Sequence, residues 1–257
     1  MNQEVDVEIA NGVLIVTISR PGKMNAITNE MYGALADAIE HANADGAVRA
    51  LLIQAEGDMF TAGNDLTEFA NQAKDDSSQE RHVVRFLRNL ANATVPAIAA
   101  VQGKAVGIGT TMLLHCDYVL LSEEAQLITP FVNLALVPEA ASSYLLPSRI
   151  GHVRAFEMFA LGDPVSAENA VAWGIANRRV PVAELHTEAC RIAEKIAAKP
   201  YGSLMATKRL MRDAEQLIVQ MDRESSVFLE RLASAEAKEA FLAFAQKRRP
   251  DFTKIPQ

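Results

Sequence analysis

The sequence has little cysteine, little tryptophan, no excess of basic charge and no long apolar run. Two cysteines in 257 residues, Cys116 and Cys190, are too few for a disulfide framework and suit a reducing compartment. Lys and Arg total 25 against 32 Asp and Glu, a formal charge of −7, and no basic tract stands out. General attraction to nucleic acid or to an anionic membrane surface is therefore excluded. No apolar stretch approaches the roughly 20 residues of a membrane span, and the first residues, Met-Asn-Gln-Glu-Val-Asp, lack the basic start and apolar run of a signal peptide. A cytoplasmic protein is expected. With 49% hydrophobic and 22% charged residues, the chain has ordinary globular composition and can bury a sizeable core.

The opening reads as strands. Val5, Val7 and Ile9 alternate with acidic residues, Asn11-Gly12 signals a hairpin, and Val13–Ile18 is β-rich. A helix is expected over about Asn29–Ala42, a short buried strand over Arg49–Gln54, and another helix near Gln79–Ala93. Polar residues 71–80 read as a surface segment. Pro96–Val101 has no polar face, so it should be a strand buried on both sides. After Val153 the pattern turns helical almost throughout, with Ala176–Val182 as the single strand-like run. A TIM barrel, whose strands would continue to the end, is disfavoured.

Two small-residue loops carry the chemical information: Phe60-Thr-Ala-Gly-Asn-Asp-Leu66 and Gly103-Lys-Ala-Val-Gly-Ile-Gly109. Each follows a buried strand, and the second opens into a helix, whose first N–H groups lack intrahelical partners. Two such loops can aim two N–H groups at one oxygen, an oxyanion hole; they can equally be tight turns with no ligand. Neither loop matches a dinucleotide fingerprint or a P-loop. The five histidines form no metal-ligand spacing with cysteine or carboxylates, so no metal is expected. His115-Cys116 fails as a thiol–base dyad, because successive helical residues point about 100° apart, and a core or surface role is expected. Lys247-Arg248-Arg249 is the only compact basic cluster and reads as a solvated helix end. Glu139, after Pro138, has the ordinary reading of a carboxylate in the first turn of a helix.

Taken together, these loops resemble the two oxyanion segments of the crotonase (enoyl-CoA hydratase/isomerase) superfamily. Arg20-Pro-Gly-Lys-Met-Asn-Ala26, His115-Cys-Asp117, Ser166-Ala-Glu-Asn-Ala170 with Trp173-Gly174, and the C-terminal stretch from Ala235 to Lys247-Arg248 are similar to further family motifs. The resemblance spans nearly the whole chain. It implies an α/β fold, a spiral of ββα units over residues 1–195 with a helical trimerisation region over 196–257, and a homotrimer or dimer of trimers. It implies an acyl-CoA thioester as substrate, with no cofactor beyond the coenzyme A of that substrate.

By the same resemblance, the N–H groups of Asn64 and Ile108 would hold the thioester oxygen. Lys23, Asn25, Ala26, Ala62, Gly63, Asp65, Leu66 and Gly107 would line the substrate path, with Phe131 beside the acyl group. The family's hydratases hold a water between two glutamates; the corresponding positions here are Thr111 and Phe131, neither a carboxylate. Thr129-Pro-Phe131 and Val137-Pro-Glu139-Ala-Ala-Ser-Ser-Tyr144 instead resemble the Δ3,Δ2-enoyl-CoA isomerase branch. There the glutamate equivalent to Glu139 is the single acid/base, which implies a double-bond shift in fatty-acid β-oxidation. Hydration or another crotonase-type lyase or hydrolase chemistry is the alternative, and a non-catalytic acyl-CoA-binding protein is a second.

Overall fold

The computed structural model describes residues 4–65, 68 and 81–255. The opening hairpin forms as expected, β1 (Val5–Ala10) against β2 (Val13–Ile18). Asn11 and Gly12 both take positive φ, 52° and 76°, the geometry that two-residue hairpin turns need. β2 then pairs in parallel with β3 (Ala50–Ala55), β3 with β4 (Ala97–Val101), β4 with β6 (Tyr118–Ser122), and β6 with β9 (Arg178–Val180). The result is one six-stranded sheet, parallel except at β1. A second sheet of three short strands, β5 (Lys104–Val106), β7 (Gln126–Ile128) and β8 (Val165–Ser166), stands apart from it.

The large sheet has two dry faces. Leu14, Val16, Leu51, Ile53, Ala97 and Ala99 face α1 (Asn29–Ala44) and α2 (His82–Ala91). The alternate residues Val13, Ile15, Ala50, Leu52, Ile98 and Ala100 pack on Leu185, Ala189, Ile192 and Ala193 of a helix over Leu185–Ala197. All five residues of β4 are fully buried, which explains its lack of a polar face.

Four further elements differ from the sequence reading. The helix after Gly107 is a single turn, α3 (Ile108–Thr111), continued as a 3-10 turn to His115. α4 (Ser142–Ile150) starts three residues after Glu139, beyond the helix start expected there, and its small residues and internal Pro147 hide any helical period. β9 is shorter than the expected strand-like run, and β8 is a two-residue addition. The remaining helices are α5 (His152–Leu161), α6 (Ala167–Trp173), α7 (Leu185–Ala197), α8 (Tyr201–Met211), α9 (Ala214–Leu232) and α10 (Ala235–Ala245). α8 ends earlier than its periodicity suggests because Asp213 caps α9, accepting from Gln216 N at 3.0 Å.

Buried Lys208 ties α8 to the residues that precede β4 and β6: its Nζ donates to the partly exposed Asp117 Oδ2 at 2.6 Å and to the Val95 carbonyl at 2.7 Å. Among the described residues, no helix is long and apolar enough to cross a membrane. Leu66 and the polar segment 71–80 lie outside the described residues.

Candidate active site

Residues 60–65 form a bridge between two other chain segments. On one side Phe60 N donates to the Gln102 carbonyl and Thr61 N to that of Lys104, while Val106 N donates back to Thr61 at 3.0 Å. On the other side Ile27 N donates to the Gly63 carbonyl and Asp65 N to that of Ile27, a parallel bridge centred on Asn64. This pattern uses Gly63 O and Asp65 N, so the Asn64 N–H points the other way, away from Ile27. Ile108 opens α3, where its N–H has no intrahelical acceptor. Among the described residues neither N–H has a hydrogen-bond partner.

Glycine is required at both approaches. Gly107 has φ 56° and ψ −117°, a backbone strongly disfavoured for a side-chain-bearing residue. Gly63 has φ 89°, and a Cβ there would stand 2.9 Å from the Val106 carbonyl oxygen.

A cleft of about 990 Å3 opens over these groups, lined by Lys23, Ala26, Ala62, Gly63, Asn64, Asp65, Gly107, Ile108, Phe131 and Glu139. A second, narrower cavity of about 150 Å3 continues from it. Asn64, Asp65, Glu139 and Phe228 line both spaces, and Val83, Val84, Leu87, Leu229 and Leu232 make the narrow one apolar. Glu139 therefore stands where the wide cleft meets the narrow pocket.

Burial pushes the Glu139 carboxyl up to about 8; a hydrogen bond from Thr111 opposes that rise, and the charge of Glu224 adds to it. Thr111 Oγ1, itself fully buried, donates to Glu139 Oε1 at 2.5 Å. The Tyr32 hydroxyl, held neutral chiefly by burial and secondarily by Glu139, donates to Asn64 Oδ1. Glu139 precedes α4 rather than lying in its first turn, which corrects the simple helix-dipole reading: Ser142 N donates to its carbonyl at 3.0 Å. Ala140 and Ala141 follow with φ 60° and 55°. Two successive left-handed alanines cost roughly 1–2 kcal/mol each, so neighbouring structure must hold them.

A chain with this pair of glycine-shaped approaches and the Glu139 carboxyl beside them matches the enoyl-CoA hydratase/isomerase family model over residues 8–255. The chain belongs to that family. This crotonase is 34% identical to the 1,2-epoxyphenylacetyl-CoA isomerase of Escherichia coli (strain K12) over 254 residues, covering 95% of this chain and 96% of the relative. It is 32% identical to the enoyl-CoA delta isomerase 2 of Rattus norvegicus, over 92% of this chain and 62% of the longer rat protein. A crystal structure of an enoyl-CoA hydratase/isomerase from Pseudoalteromonas atlantica T6c superimposes with a TM-score of 0.92 at 42% identity, covering 97% of this chain and all of that one. The crotonase spiral expected from the motifs is thus the fold observed.

Within this crotonase most of the candidate residues read from the sequence converge on one cleft; Asn25 does not line it. Its side chain is buried, accepting from Arg20 N and donating to the carbonyls of Glu56 and Met59, each at 2.7 Å. It shapes the Lys23–Ala26 loop from behind. Phe131 is buried beside Phe159, with ring centroids 6.2 Å apart. His115 is a core residue: burial, then the charge of Arg212, pushes it down to about 3, so it is neutral. Arg248 of the basic cluster is engaged with Glu239 at 2.5 Å.

Sequence reading misses Tyr32, Glu224 and the hydroxyl of Thr111 as partners of the site. A signal exists for Glu224 alone, a carboxylate continuing the buried stripe Leu217, Met221 of α9. Replacing Thr111 by Val keeps the volume but removes the donor to the ionised carboxylate. The Glu139 titration, followed by infrared difference between wild type and Glu139→Gln, is expected to move upward from about 8 in that variant. An unmoved midpoint would show that the hydroxyl does not donate there.

Proposed function

We propose that this crotonase is a Δ3,Δ2-enoyl-CoA isomerase. The observation that carries the reading is that Glu139 stands with Asn64 at the junction of cleft and narrow pocket, where the other carboxyl, Asp65, is ion-paired with Arg20 at 2.8 Å, while Phe131 lines the cleft and Thr111 donates to Glu139. The thioester oxygen is held by the N–H groups of Asn64 and Ile108. Ionised Glu139 takes a proton from C2 of a 3-enoyl thioester, and the electron pair moves onto the thioester oxygen as a dienolate stabilised by the two N–H donors. The same carboxyl then delivers the proton to C4, the double bond comes to rest between C2 and C3, and nothing is gained or lost.

Such a shuttle needs one group that is both acid and base near the working pH, and a carboxyl at about 8 meets that need better than an ordinary one. Phe131 and Leu136 in the cleft and Phe228 at the junction limit water, which favours proton return over hydration. Lys23 and Lys104 stand exposed at the cleft wall, beside Asp58 and Glu124, and are the basic groups available to the phosphates of coenzyme A.

The test is a pair of assays following the absorbance of the conjugated thioester. A 3-enoyl-CoA should be converted and gain that absorbance, with kcat/KM rising about tenfold per pH unit and levelling near 8. A 2-enoyl-CoA should lose it far more slowly. Faster hydration than isomerisation would overturn the assignment in favour of a hydratase.

Assembly as a homotrimer or dimer of trimers goes with this reading. It is supported by the exposed apolar side chains Val153, Phe156, Leu161, Leu210, Met211 and Phe244. Sedimentation of a stable 27.9 kDa species at micromolar concentration would overturn it.

A further inference from the structure

The left-handed turn at Ala140–Ala141 presents Glu139, and its hold comes from the C-terminal helices. α9 seats against the turn through Leu217 and Met221, which pack with Ala91 on Ala141. One turn further along the same stripe lies Glu224, only 6% exposed. Its Oε2 accepts from Ala141 N at 2.6 Å, and its Oε1 accepts from Ser143 N at 2.9 Å and from the Ser143 hydroxyl. Gln220 Nε2 donates to the same hydroxyl oxygen at 2.9 Å. From the opposite side, His115 grips the Ala140 carbonyl at 2.7 Å. Arg212, always a donor, occupies His115 Nδ1, so the proton must sit on Nε2 and be donated to Ala140.

We infer that Glu224 is a positioning residue for Glu139, its carboxylate on α9 holding the Ala140–Ala141 turn that fixes where the Glu139 carboxyl stands. The inference rests on the reading of Glu139 as the proton shuttle. It gives α9 a part in the reaction beyond packing, since one of its stripes lines the apolar pocket and the other sets the base.

Glu224 also acts through its charge. The groups that face Glu139 are Thr111 from α3, Tyr32 from α1 and Glu224 from α9; Thr111 favours the ionised form and Glu224 opposes it. Glu224 is itself raised by burial and lowered by its three donors. Among the described residues the charge it couples to is that of Glu139, and the partners it touches, Ala141 and Ser143, carry no charge.

Glu224→Gln keeps the shape but sets an NH2 group against backbone donors and removes the charge. Two readouts are expected on folded enzyme. kcat on a 3-enoyl-CoA should fall about tenfold or more, with KM within about twofold, because presentation of the base is lost while the cleft remains. The Glu139 titration, read by infrared difference and needing no substrate, should move below about 8.

Ser143→Ala keeps the Glu224 charge and removes one of its three donors. It should lower kcat a few-fold and leave the titration midpoint unmoved. It carries the test by itself if Glu224→Gln does not fold. A merely structural role would lower the melting temperature and leave both kcat and midpoint as in wild type. That result in Glu224→Gln, or wild-type kcat in Ser143→Ala where the first variant is unfolded, would overturn the inference. Wild type that fails to isomerise a 3-enoyl-CoA, with the midpoint still moved in Glu224→Gln, would sink the isomerase reading and leave the coupling of Glu224 to Glu139 standing.

Discussion

Glu139→Gln is expected to lower isomerisation of a 3-enoyl-CoA by roughly 10²–10⁴-fold, the usual contribution of a positioned general acid–base group. The amide retains the size of the carboxyl and can still accept from Thr111 Oγ1, now 2.5 Å from Oε1, so the cleft keeps its shape. Acyl-CoA affinity should change little, which puts the loss in kcat.

The same variant has an expected stability signature. Burial raises the folded-state carboxyl to about 8 against 4.5 in an unfolded chain, so folding favours the protonated form. That contribution is complete below about 4.5 and is lost as the pH rises to about 8, at about 1.4 kcal/mol per pH unit. Glu139→Gln should therefore melt like wild type at or below about pH 4 and at higher temperature than wild type at pH 8.5. Retention of near-full isomerase activity would place the base elsewhere. A melting difference independent of pH would show that Glu139 is not held in a desolvated site.

Gly63→Ala carries the second large effect, and it acts on the other half of the chemistry. The glycine sits at φ 89°, and its missing Cβ leaves room for the Val106 carbonyl, which would otherwise be met at 2.9 Å. Both chains at this crossing lead directly to the proposed oxyanion donors: Asn64 is the next residue after Gly63, and Ile108 lies two residues beyond Val106. A methyl group must push the segments apart or rotate the 63–64 peptide, and either spoils the convergence of two N–H groups on one oxygen. Loss of one such donor is worth roughly 10²–10³ in kcat, and that is the expected fall. Gly46→Ala is the control, since a Cβ there meets nothing within 4 Å and its backbone is ordinary. If Gly63→Ala, folded by circular dichroism, turned over at the wild-type rate, the two N–H groups would not be the stabilising donors.

Much of the fold was legible before any coordinate. Alternation marked β1, an unbroken apolar run marked β4, and Asn11-Gly12 marked the hairpin, because burial on one face, on both faces, or a positive φ each demands particular residues. The glycine loops were visible for the same reason: close backbone approach leaves a composition trace. The bounds of α4 were not, since Ala-Ala-Ser-Ser followed by Pro147 carries no helical period, and the helix starts there because Glu224, 81 positions away, accepts the N–H of Ser143.

The sequence alone determined the layered α/β class and the two small-residue loops, because these depend on residue type and local spacing; the proposal of Glu139 as the single acid/base came from the family resemblance. Only the tertiary structure decided that Asn25 supports its loop from behind, that Thr111 donates to the base, and that α9 holds the Ala140–Ala141 turn. Those facts rest on contacts between residues 28 to 83 positions apart, whose distance and direction are set by packing and leave no periodic mark in the chain.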